Sequence, residues 1–303
     1  IYDPNVRLID FGMREKGGAP IADDLTIRVH VAEKLDEGTA LEAATQSGVT
    51  RGQIPKTIGG FRVDVPQGAY HPNQWFIGGW QPPASPRAAR AAQLRGGISV
   101  ANGRLRGYGT LGGAVVDRAT GAKMILSNWH VLAGLWHAQP GWPIYQPGQG
   151  DGGSADDTVA RLSRDAMAAN LDAVVAEVTG ERPIINDQFN LGPVKGVGWA
   201  LPGMDVVKSG RRTNITYGRV TGVEGTSTMT YAGVRRLIRN VITIDPQPDR
   251  FEVSAGGDSG SFWLRQATME VVGLHFAGSN RPERALAIDM KPILDALNVD
   301  LLV

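Results

Sequence analysis

Three residues of this chain have the types and the order that suit nucleophilic catalysis. Ser259 lies in the run Gly257-Asp258-Ser259-Gly260, and His130 and Asp172 precede it in the chain. A serine hydroxyl is a poor nucleophile at neutral pH, so it needs a base, and histidine titrates in the right range. A buried carboxylate that accepts a hydrogen bond from the imidazole turns the other ring nitrogen toward the serine. This set predicts acyl-transfer chemistry.

The glycines beside Ser259 indicate where a developing negative charge would be stabilised. Gly257 has no Cβ, so backbone N–H groups can converge on a substrate carbonyl. We expect the N–H groups of Gly257 and Ser259 to form an oxyanion hole. The alternative is an ordinary turn rich in Gly and Ser, which is a common feature of β proteins.

The local context distinguishes His130 and Asp172 from other residues of their types. His130 follows the end of the apolar run 124–126, where an imidazole can reach a cleft, and Asp172 precedes the apolar run 173–176. The alternative for each is a structural role, as a hydrogen-bonded histidine or a turn aspartate. The competing residues, which lack this context, are His30, His71, His137, Asp156, Asp157 and Asp165.

The composition excludes several classes of function. The formal net charge is +1, from 31 basic and 30 acidic residues, so we expect no nucleic-acid partner. No apolar run is long enough to span a bilayer, so we expect no membrane partner either. The absence of cysteine excludes disulfides, thiol catalysis and cysteine-ligated metals, and we expect no metal site. The oligomeric state is left open.

The expected compartment follows from two weak signals. The chain has no cysteine and no visible signal peptide, and both facts slightly favour the cytoplasm. The first residue is Ile1, so a periplasmic or secreted protein whose leader has been removed stays an alternative.

Residues 1–81 are expected to form a small α/β unit. The run 25–31 alternates apolar and polar side chains, as a half-buried strand does. A short helix is predicted at 41–45, and a second strand at 58–65 with a kink at Gly59-Gly60.

The rest of the chain divides into a linker and a β-rich domain. Residues 82–95 contain three prolines and three arginines and are interpreted as an exposed linker, or as a surface helix from Arg87. From residue 96 to 303, short β-like runs separated by glycine predict an antiparallel barrel or sandwich. Residues 290–297 have helical spacing, which predicts a C-terminal helix packed on the barrel.

Residues from about 97 to 303 resemble the trypsin/chymotrypsin-like superfamily of serine peptidases, and most of all its cysteine-free bacterial members. The N-terminal part, residues 10–70, and the runs 108–111, 146–148 and 276–279 are similar to a group that includes the plant narrow-leaf protein. The motifs that carry the superfamily resemblance lie at 107–113, 127–132, 171–174, 208–213, 217–220, 257–261 and 272–278.

The resemblance implies a fold and an activity. The expected fold is mainly β, a chymotrypsin-like double six-stranded antiparallel barrel with a C-terminal helix after the small N-terminal α/β unit. Barrel one would span about 97–182 and barrel two about 190–290, with the triad in the cleft between them. The implied activity is that of an endopeptidase that acts on proteins or peptides without a cofactor.

The resemblance also assigns a substrate pocket. Val253 falls where trypsins carry an acidic residue, which argues against cleavage after Lys or Arg. His275 falls where glutamate-specific bacterial members carry a histidine, which suggests cleavage after Glu or Asp; the alternative is a core histidine. The expected pocket residues are Val253, Ser254, His275, Phe276 and Gly278.

Other roles compete with these. An esterase would use the same triad, whereas a non-catalytic scaffold would not need all three residues.

The N-terminal unit could be a folding or inhibitory pro-region, an exosite or an oligomerisation surface. If it inhibits the enzyme, Arg87, Arg90 and Arg95 offer exposed sites for its proteolytic removal. In mammalian zymogens a new N-terminal Ile pairs with the residue equivalent to Asp258; Ile1 lies too far upstream of the barrels to favour that switch.

Overall fold

The N-terminal region forms a long β-hairpin followed by shorter strands. In the computed structural model, which describes residues 3–34, 54–72 and 85–303, the predicted strand at 25–31 is part of the second strand. The strand predicted at 58–65 is confirmed over 61–64, but Gly59 and Gly60, with positive φ values of 57° and 86°, form a chain-reversing turn instead of the predicted kink. The helix predicted at 41–45 lies outside the described residues. The strands are β1 (Val6–Lys16), β2 (Ala19–Val31), β3 (Thr57–Ile58), β4 (Phe61–Asp64) and β5 (His71–Pro72).

The first barrel-like sheet has eight strands in the order β22-β9-β10-β13-β12-β11-β7-β8. Its interior is formed by the short apolar runs that the sequence separates with glycine. The C-terminal strand returns to this sheet, with Leu301 paired to Val115, so barrel one also contains residues from beyond the predicted interval 97–182. Its strands are β7 (Ser99–Asn102), β8 (Gly109–Thr110), β9 (Gly113–Asp117), β10 (Lys123–Ser127), β11 (Pro143–Tyr145), β12 (Thr158–Asp165), β13 (Val174–Val178) and β22 (Val299–Leu301). Two further strands, β6 (Leu94–Gly96) and β14 (Ile184–Gln188), pair in parallel in a separate two-stranded sheet.

The second sheet closes a six-stranded barrel, because β17 pairs with β16 as well as with β18. The path around it is β16-β19-β20-β21-β18-β17. The C-terminal helix predicted at 290–297 is confirmed as α2, and the Asp289 carboxylate caps it by accepting the Lys291 N–H at 3.1 Å. The remaining elements are α1 (Trp129–Leu132), β15 (Gly196–Val197), β16 (Asp205–Gly210), β17 (Asn214–Tyr231), β18 (Val234–Pro246), β19 (Phe262–Arg265), β20 (Glu270–Asn280), β21 (Glu283–Asp289) and α2 (Met290–Leu297).

The N-terminal hairpin extends the sheet of barrel two. β1 pairs antiparallel with β17, and β2, β4 and β3 continue the sheet outward. A buried ionic cluster lies at this junction: Arg28 Nε donates to Asp10 at 2.8 Å, and Arg284 reaches both Glu15 and Asp245 at 2.7 Å. Arg284 lies on β21 of the barrel, so the cluster joins the two parts of the chain through buried charges.

The described part of the predicted linker 82–95 packs on the barrels. Arg87 is 2% exposed, and its guanidinium donates to the carbonyl groups of Gly97 and Phe189, both at 3.0 Å. It also donates to the Ser209 hydroxyl on β16. Arg87 is therefore not an exposed cut site, whereas the side chain of Arg90 is 63% exposed.

The buried cluster leads to a prediction about stability. In Arg28→Met the carboxylate of Asp10 stays buried without its main cation, so we expect the free energy of unfolding to fall by about 3–5 kcal/mol. The matched control is Arg14→Met on the same hairpin, where the pair with Asp24 is partly exposed and worth less than about 1 kcal/mol. Urea denaturation measures both variants. A loss for Arg28→Met as small as that of the control would contradict the prediction.

Candidate active site

His130 and Asp172 form a buried pair. His130 lies in the short helix α1, which begins two residues after the end of β10. Asp172 lies two residues before the start of β13, the neighbour of β10 in the sheet. The imidazole Nδ1 is 2.6 Å from Asp172 Oδ2, and the His130 backbone N–H donates to Asp172 Oδ1 at 3.2 Å. The Asn128 side chain donates to the Asp172 carbonyl at 2.7 Å and fixes the loop. Since Nδ1 faces the carboxylate, Nε2 is the ring nitrogen that can act as a base.

Ser259 lies in a tight turn where the two barrels meet. The Thr110 N–H of barrel one donates to the Ser259 carbonyl at 2.8 Å, and the Gly260 N–H donates to the His275 carbonyl of barrel two at 2.9 Å. The Ser259 Oγ is 3.5 Å from the Phe276 carbonyl oxygen. The turn is therefore held from both sides of the cleft.

The turn at residues 257–260, called the serine turn below, also lies close to α1, the helix that contains His130. Gly109 separates them: a methyl group at this position would lie 2.6 Å from the Val131 side chain and 3.1 Å from the Ser259 carbonyl oxygen. Val131 directly follows His130. The structure thus brings the regions of all three predicted catalytic residues to the same place between the barrels.

Gly257 has a conformation that other residues adopt only with strain. Its φ is +107°, and a Cβ there would lie 2.4 Å from Cε2 of the Tyr108 ring. The Gly257 carbonyl accepts a hydrogen bond from the Thr110 hydroxyl at 2.8 Å, which fixes the orientation of the peptide that precedes Asp258. The shape of this turn therefore requires glycine.

We predict that Gly257→Ala lowers kcat by about 100- to 1,000-fold, because the clash with Tyr108 displaces the backbone that would bind the oxyanion. Steady-state kinetics on a peptide substrate measures the effect. The control is Gly121→Ala, which also has positive φ, +72°, but has open space around it. That variant should keep its kcat, and an equal loss in both variants would contradict the proposed role of Gly257.

A buried ion pair that sequence reasoning missed supports the serine turn. Lys208 Nζ is 2.8 Å from Asp258 Oδ2, and both side chains are fully buried. The same carboxylate accepts four further hydrogen bonds, from the Thr213 hydroxyl and from the N–H groups of Ala255, Arg212 and Thr213. Burial of Asp258 disfavours its charge, but the adjacent Lys208 ammonium and these bonds outweigh burial and lower the pKa of Asp258 to about 2.

The Lys208–Asp258 pair is relevant to zymogen activation, in which a new N-terminal Ile would pair with Asp258. The Asp258 carboxylate already has an ammonium partner, Lys208, which is supplied by β16 within the barrel. Ile1 lies outside the described residues.

A lysine inside the apolar run of β16 is a sequence signal for such a buried pair, since a buried lysine requires an acidic partner.

The Asp258 pair leads to a prediction about acid stability. The pKa of Asp258 is lower in the folded chain than its ordinary value of 3.8, so its stabilising contribution is complete above about pH 4 and is lost as the pH falls toward 2. This contribution is about 2 kcal/mol. The double variant Asp258→Asn/Lys208→Met, which removes both charges, should lose that part of the pH dependence in urea denaturation between pH 4 and 2. Asp249→Asn, at an exposed turn, is the control; an unchanged slope in the double variant would contradict the prediction.

Tyr231 is a second residue at the site that sequence reasoning missed. It ends β17, whose long hairpin with β18 crosses from barrel two to barrel one. The Tyr231 ring lies 6.0 Å from the rings of both His130 and Trp129, and its carbonyl accepts from the Trp136 indole at 3.0 Å. Burial raises the pKa of the Tyr231 phenol well above its usual value, and the charge of Asp172 acts in the same direction. Tyr231 thus covers the His130–Asp172 pair from the other barrel.

The predicted pocket residues lie close to the serine turn but are mostly buried. Val253 packs inside the core of barrel two, and the N–H groups of Val253 and Ser254 donate to the Glu283 carboxylate at 2.9 and 3.2 Å. The His275 ring is buried against Trp263, with ring centroids 6.2 Å apart. Burial, and after it the positive charge of Lys208, lower the pKa of His275 to about 3.

Phe276 and Gly278, the other two predicted pocket residues, lie on β20 immediately after His275. Phe276 is buried beside Ser259, and Gly278 follows directly after Ala277 on the same strand.

Among the described residues, no group of acidic, histidine or cysteine side chains could hold a metal ion. Within residues 3–34, 54–72 and 85–303, no helix is long and apolar enough to cross a membrane.

The arrangement of the two barrels is similar to that of solved serine proteases. A Nocardiopsis protease, NAPase, matches with a TM-score of 0.52 and 19% identity, over 70% of this chain and all of its own. Protease A of Thermobifida fusca matches with a TM-score of 0.50 and 17% identity, over 70% of this chain and 99% of its own. A glutamic-acid-specific serine protease that uses a histidine triad in substrate binding matches with a TM-score of 0.51 and 20% identity, over 69% and 100%.

These likenesses show that the chain has the chymotrypsin-like serine protease fold, as the sequence predicted. At identities of 17–20% they show the fold alone. No protein-family model matches the chain, and no curated protein matches it in sequence. The finer resemblance to the group of the narrow-leaf protein stays a prediction.

Proposed function

We propose that this protein is a serine endopeptidase. The observation that carries the proposal is the buried His130–Asp172 pair, 2.6 Å between Nδ1 and Oδ2, in a cleft that also contains the Ser259 turn. A protease fold alone does not define an activity. The His130–Asp172 pair beside the Ser259 turn, made of the residue types that can activate a serine, is the specific support for catalysis.

The proposed reaction has two halves. Ser259 Oγ attacks the carbonyl carbon of the substrate while His130 Nε2 takes the hydroxyl proton, and the N–H groups of Gly257 and Ser259 bind the oxyanion. The imidazolium then gives its proton to the leaving amine, and an acyl-enzyme is formed. Water, deprotonated by the same imidazole, attacks the acyl group, and the proton returns to Ser259 as the carboxylic acid product leaves.

Asp172 has a positioning role in this scheme. Its carboxylate accepts from Nδ1, so it selects the tautomer in which Nε2 is the base and stabilises the imidazolium that forms. The closed surroundings of the pair, with Tyr231 above it, keep water away and strengthen that interaction. The same machinery would hydrolyse activated esters, so ester cleavage is expected to accompany peptidase activity.

An activated serine can be tested directly with a fluorophosphonate probe. We expect one covalent adduct per chain at Ser259, seen by mass spectrometry, because only a serine next to a base reacts rapidly. Ser259→Ala should not be labelled, and Ser163→Ala, on β12 of barrel one, should be labelled like the wild type. Equal labelling of wild type and Ser259→Ala would falsify the proposal.

Preference for acidic residues is the finer part of the proposal. Its supports are the position of His275 in the sequence and the fold shared with a glutamic-acid-specific protease. His275 is buried with a pKa lowered to about 3, so its ring is neutral at pH 7 and would meet a substrate carboxylate with a hydrogen bond rather than a charge. Its Nδ1 already lies 3.4 Å from the Trp263 indole nitrogen, so the carboxylate would have to take the place of a partner that the ring has in the resting chain.

A peptide-library cleavage profile tests this preference. We expect cleavage after Glu, and more weakly after Asp, at a rate at least about tenfold above that after Lys or Arg, which is the discrimination that one hydrogen bond can give. In His275→Val the preference for Glu should disappear while cleavage at other residues continues. Cleavage after apolar residues, with none after Glu, would disprove the acidic preference and leave the endopeptidase proposal intact.

A further inference from the structure

The two edges of strand β20 pair with neighbouring strands over different lengths near Ser259. One edge pairs with β21 from Gly273 to Asn280. The other pairs with β19 only as far as Leu274. Beyond that point lies the serine turn, with Ser259 Oγ 3.5 Å from the Phe276 carbonyl oxygen. The residues that follow Phe276 therefore present a sheet edge beside the nucleophile.

An edge in this position suits the presentation of an extended peptide. A peptide that adds a strand to a sheet edge gains main-chain hydrogen bonds whatever its side chains are. Pairing next to Ser259 would hold the peptide backbone at a fixed distance from Oγ, which is a large part of catalysis by proximity. Ala277 and Gly278 are the residues of β20 that would pair with such a peptide.

The same edge is filled from within the chain. β5 runs antiparallel to β20, with Pro72 opposite Ala277 and His71 opposite Gly278. Proline has no N–H to donate to a sheet and is found at edge positions such as this one. β5 has only two residues, so its pairing involves few main-chain hydrogen bonds and another strand can replace it.

The chain that leads into β5 is anchored in the buried ionic cluster. Tyr70, the residue before β5, is 4% exposed, and its hydroxyl lies 2.7 Å from His30 Nδ1 and accepts from Arg284 at 3.2 Å. The Gly68 N–H donates to the Val31 carbonyl at 2.8 Å. A tether of this length keeps β5 at an effective concentration on the order of millimolar at the edge of β20. A free peptide at lower concentration would compete poorly.

We propose that β5 is an intramolecular competitor of the substrate, which occupies the edge of β20 beside Ser259 and must be displaced before a peptide can pair there. The inference rests on the proposed function and adds a regulation of the same site. β5 supplies no group to the reaction. It lowers the fraction of molecules whose edge is open, and the apparent affinity for an extended peptide falls by that fraction.

The variant His71→Gly tests this competition, and Pro72 is kept because glycine there would add a main-chain N–H that could pair with β20. Glycine at position 71 favours the unpaired state of β5, since it is more flexible than histidine and packs no side chain on the sheet. We expect KM for an extended peptide substrate to fall about 5-fold with kcat unchanged. A fluorophosphonate is too small to need the edge, so Ser259 should be labelled at the wild-type rate.

The matched control is Thr57→Gly, which changes the equally short strand β3 at the far end of the same sheet. It should keep the wild-type KM. An unchanged or higher KM in the β5 variant, with normal labelling, overturns the inference and leaves the proposed function intact. If Ser259 is labelled in neither the wild type nor the variants, the proposed function has failed and the inference fails with it.

Discussion

The buried ion pair between Lys208 and Asp258 is the interaction on which the serine turn depends. Placing two charges inside a barrel is costly, and the cost is offset only when the pair is close and its remaining hydrogen-bonding capacity is satisfied. Asp258 meets this condition with five hydrogen bonds, three of them from residues 212–213, which follow β16. The backbone around Ser259 is therefore fixed by a strand that lies outside the turn itself.

The two barrels are joined at the site by several independent contacts. Thr110 from barrel one and His275 from barrel two hold the serine turn, and Tyr231 reaches back from barrel two to cover His130. The last strand, β22, returns to barrel one after α2. Since a catalytic arrangement tolerates only small displacements, contacts from both barrels are what a cleft between two separate cores requires.

The sequence predicted best what depends on local pattern. The glycine-rich turn around Ser259 and the positions of His130 after a strand and Asp172 before one are readable in short windows, and so are the many short strands. Lys208 could have been flagged as a lysine within an apolar strand, but its partner Asp258 is fifty residues away. Tyr231 depends on the length of the β17–β18 hairpin, which places its tip only after barrel two has closed.

The N-terminal region shows why the alternation of apolar and polar residues was insufficient to predict which side chains are buried. The alternation in 25–31 correctly predicts a strand, and it assigns Arg28 and His30 to a polar face. Both are buried, because that face is covered by barrel two through a pairing of β1 with β17, more than two hundred residues along the chain. Periodicity shows that a strand has two faces, but not what will cover each face.

The N-terminal region is therefore bound to barrel two in two ways with different strengths. The β1–β2 hairpin is held by buried charges, and their removal would leave the buried Arg284 without its Glu15 partner and with Asp245 as its remaining carboxylate. Arg284 directly follows Glu283, whose carboxylate binds the N–H groups of Val253 and Ser254, so damage to the cluster would reach the predicted pocket. β5, in contrast, is held by a two-residue pairing. Opening the edge of β20 thus requires only a local displacement of β5, whereas loss of the whole N-terminal region would harm the barrel that carries Ser259.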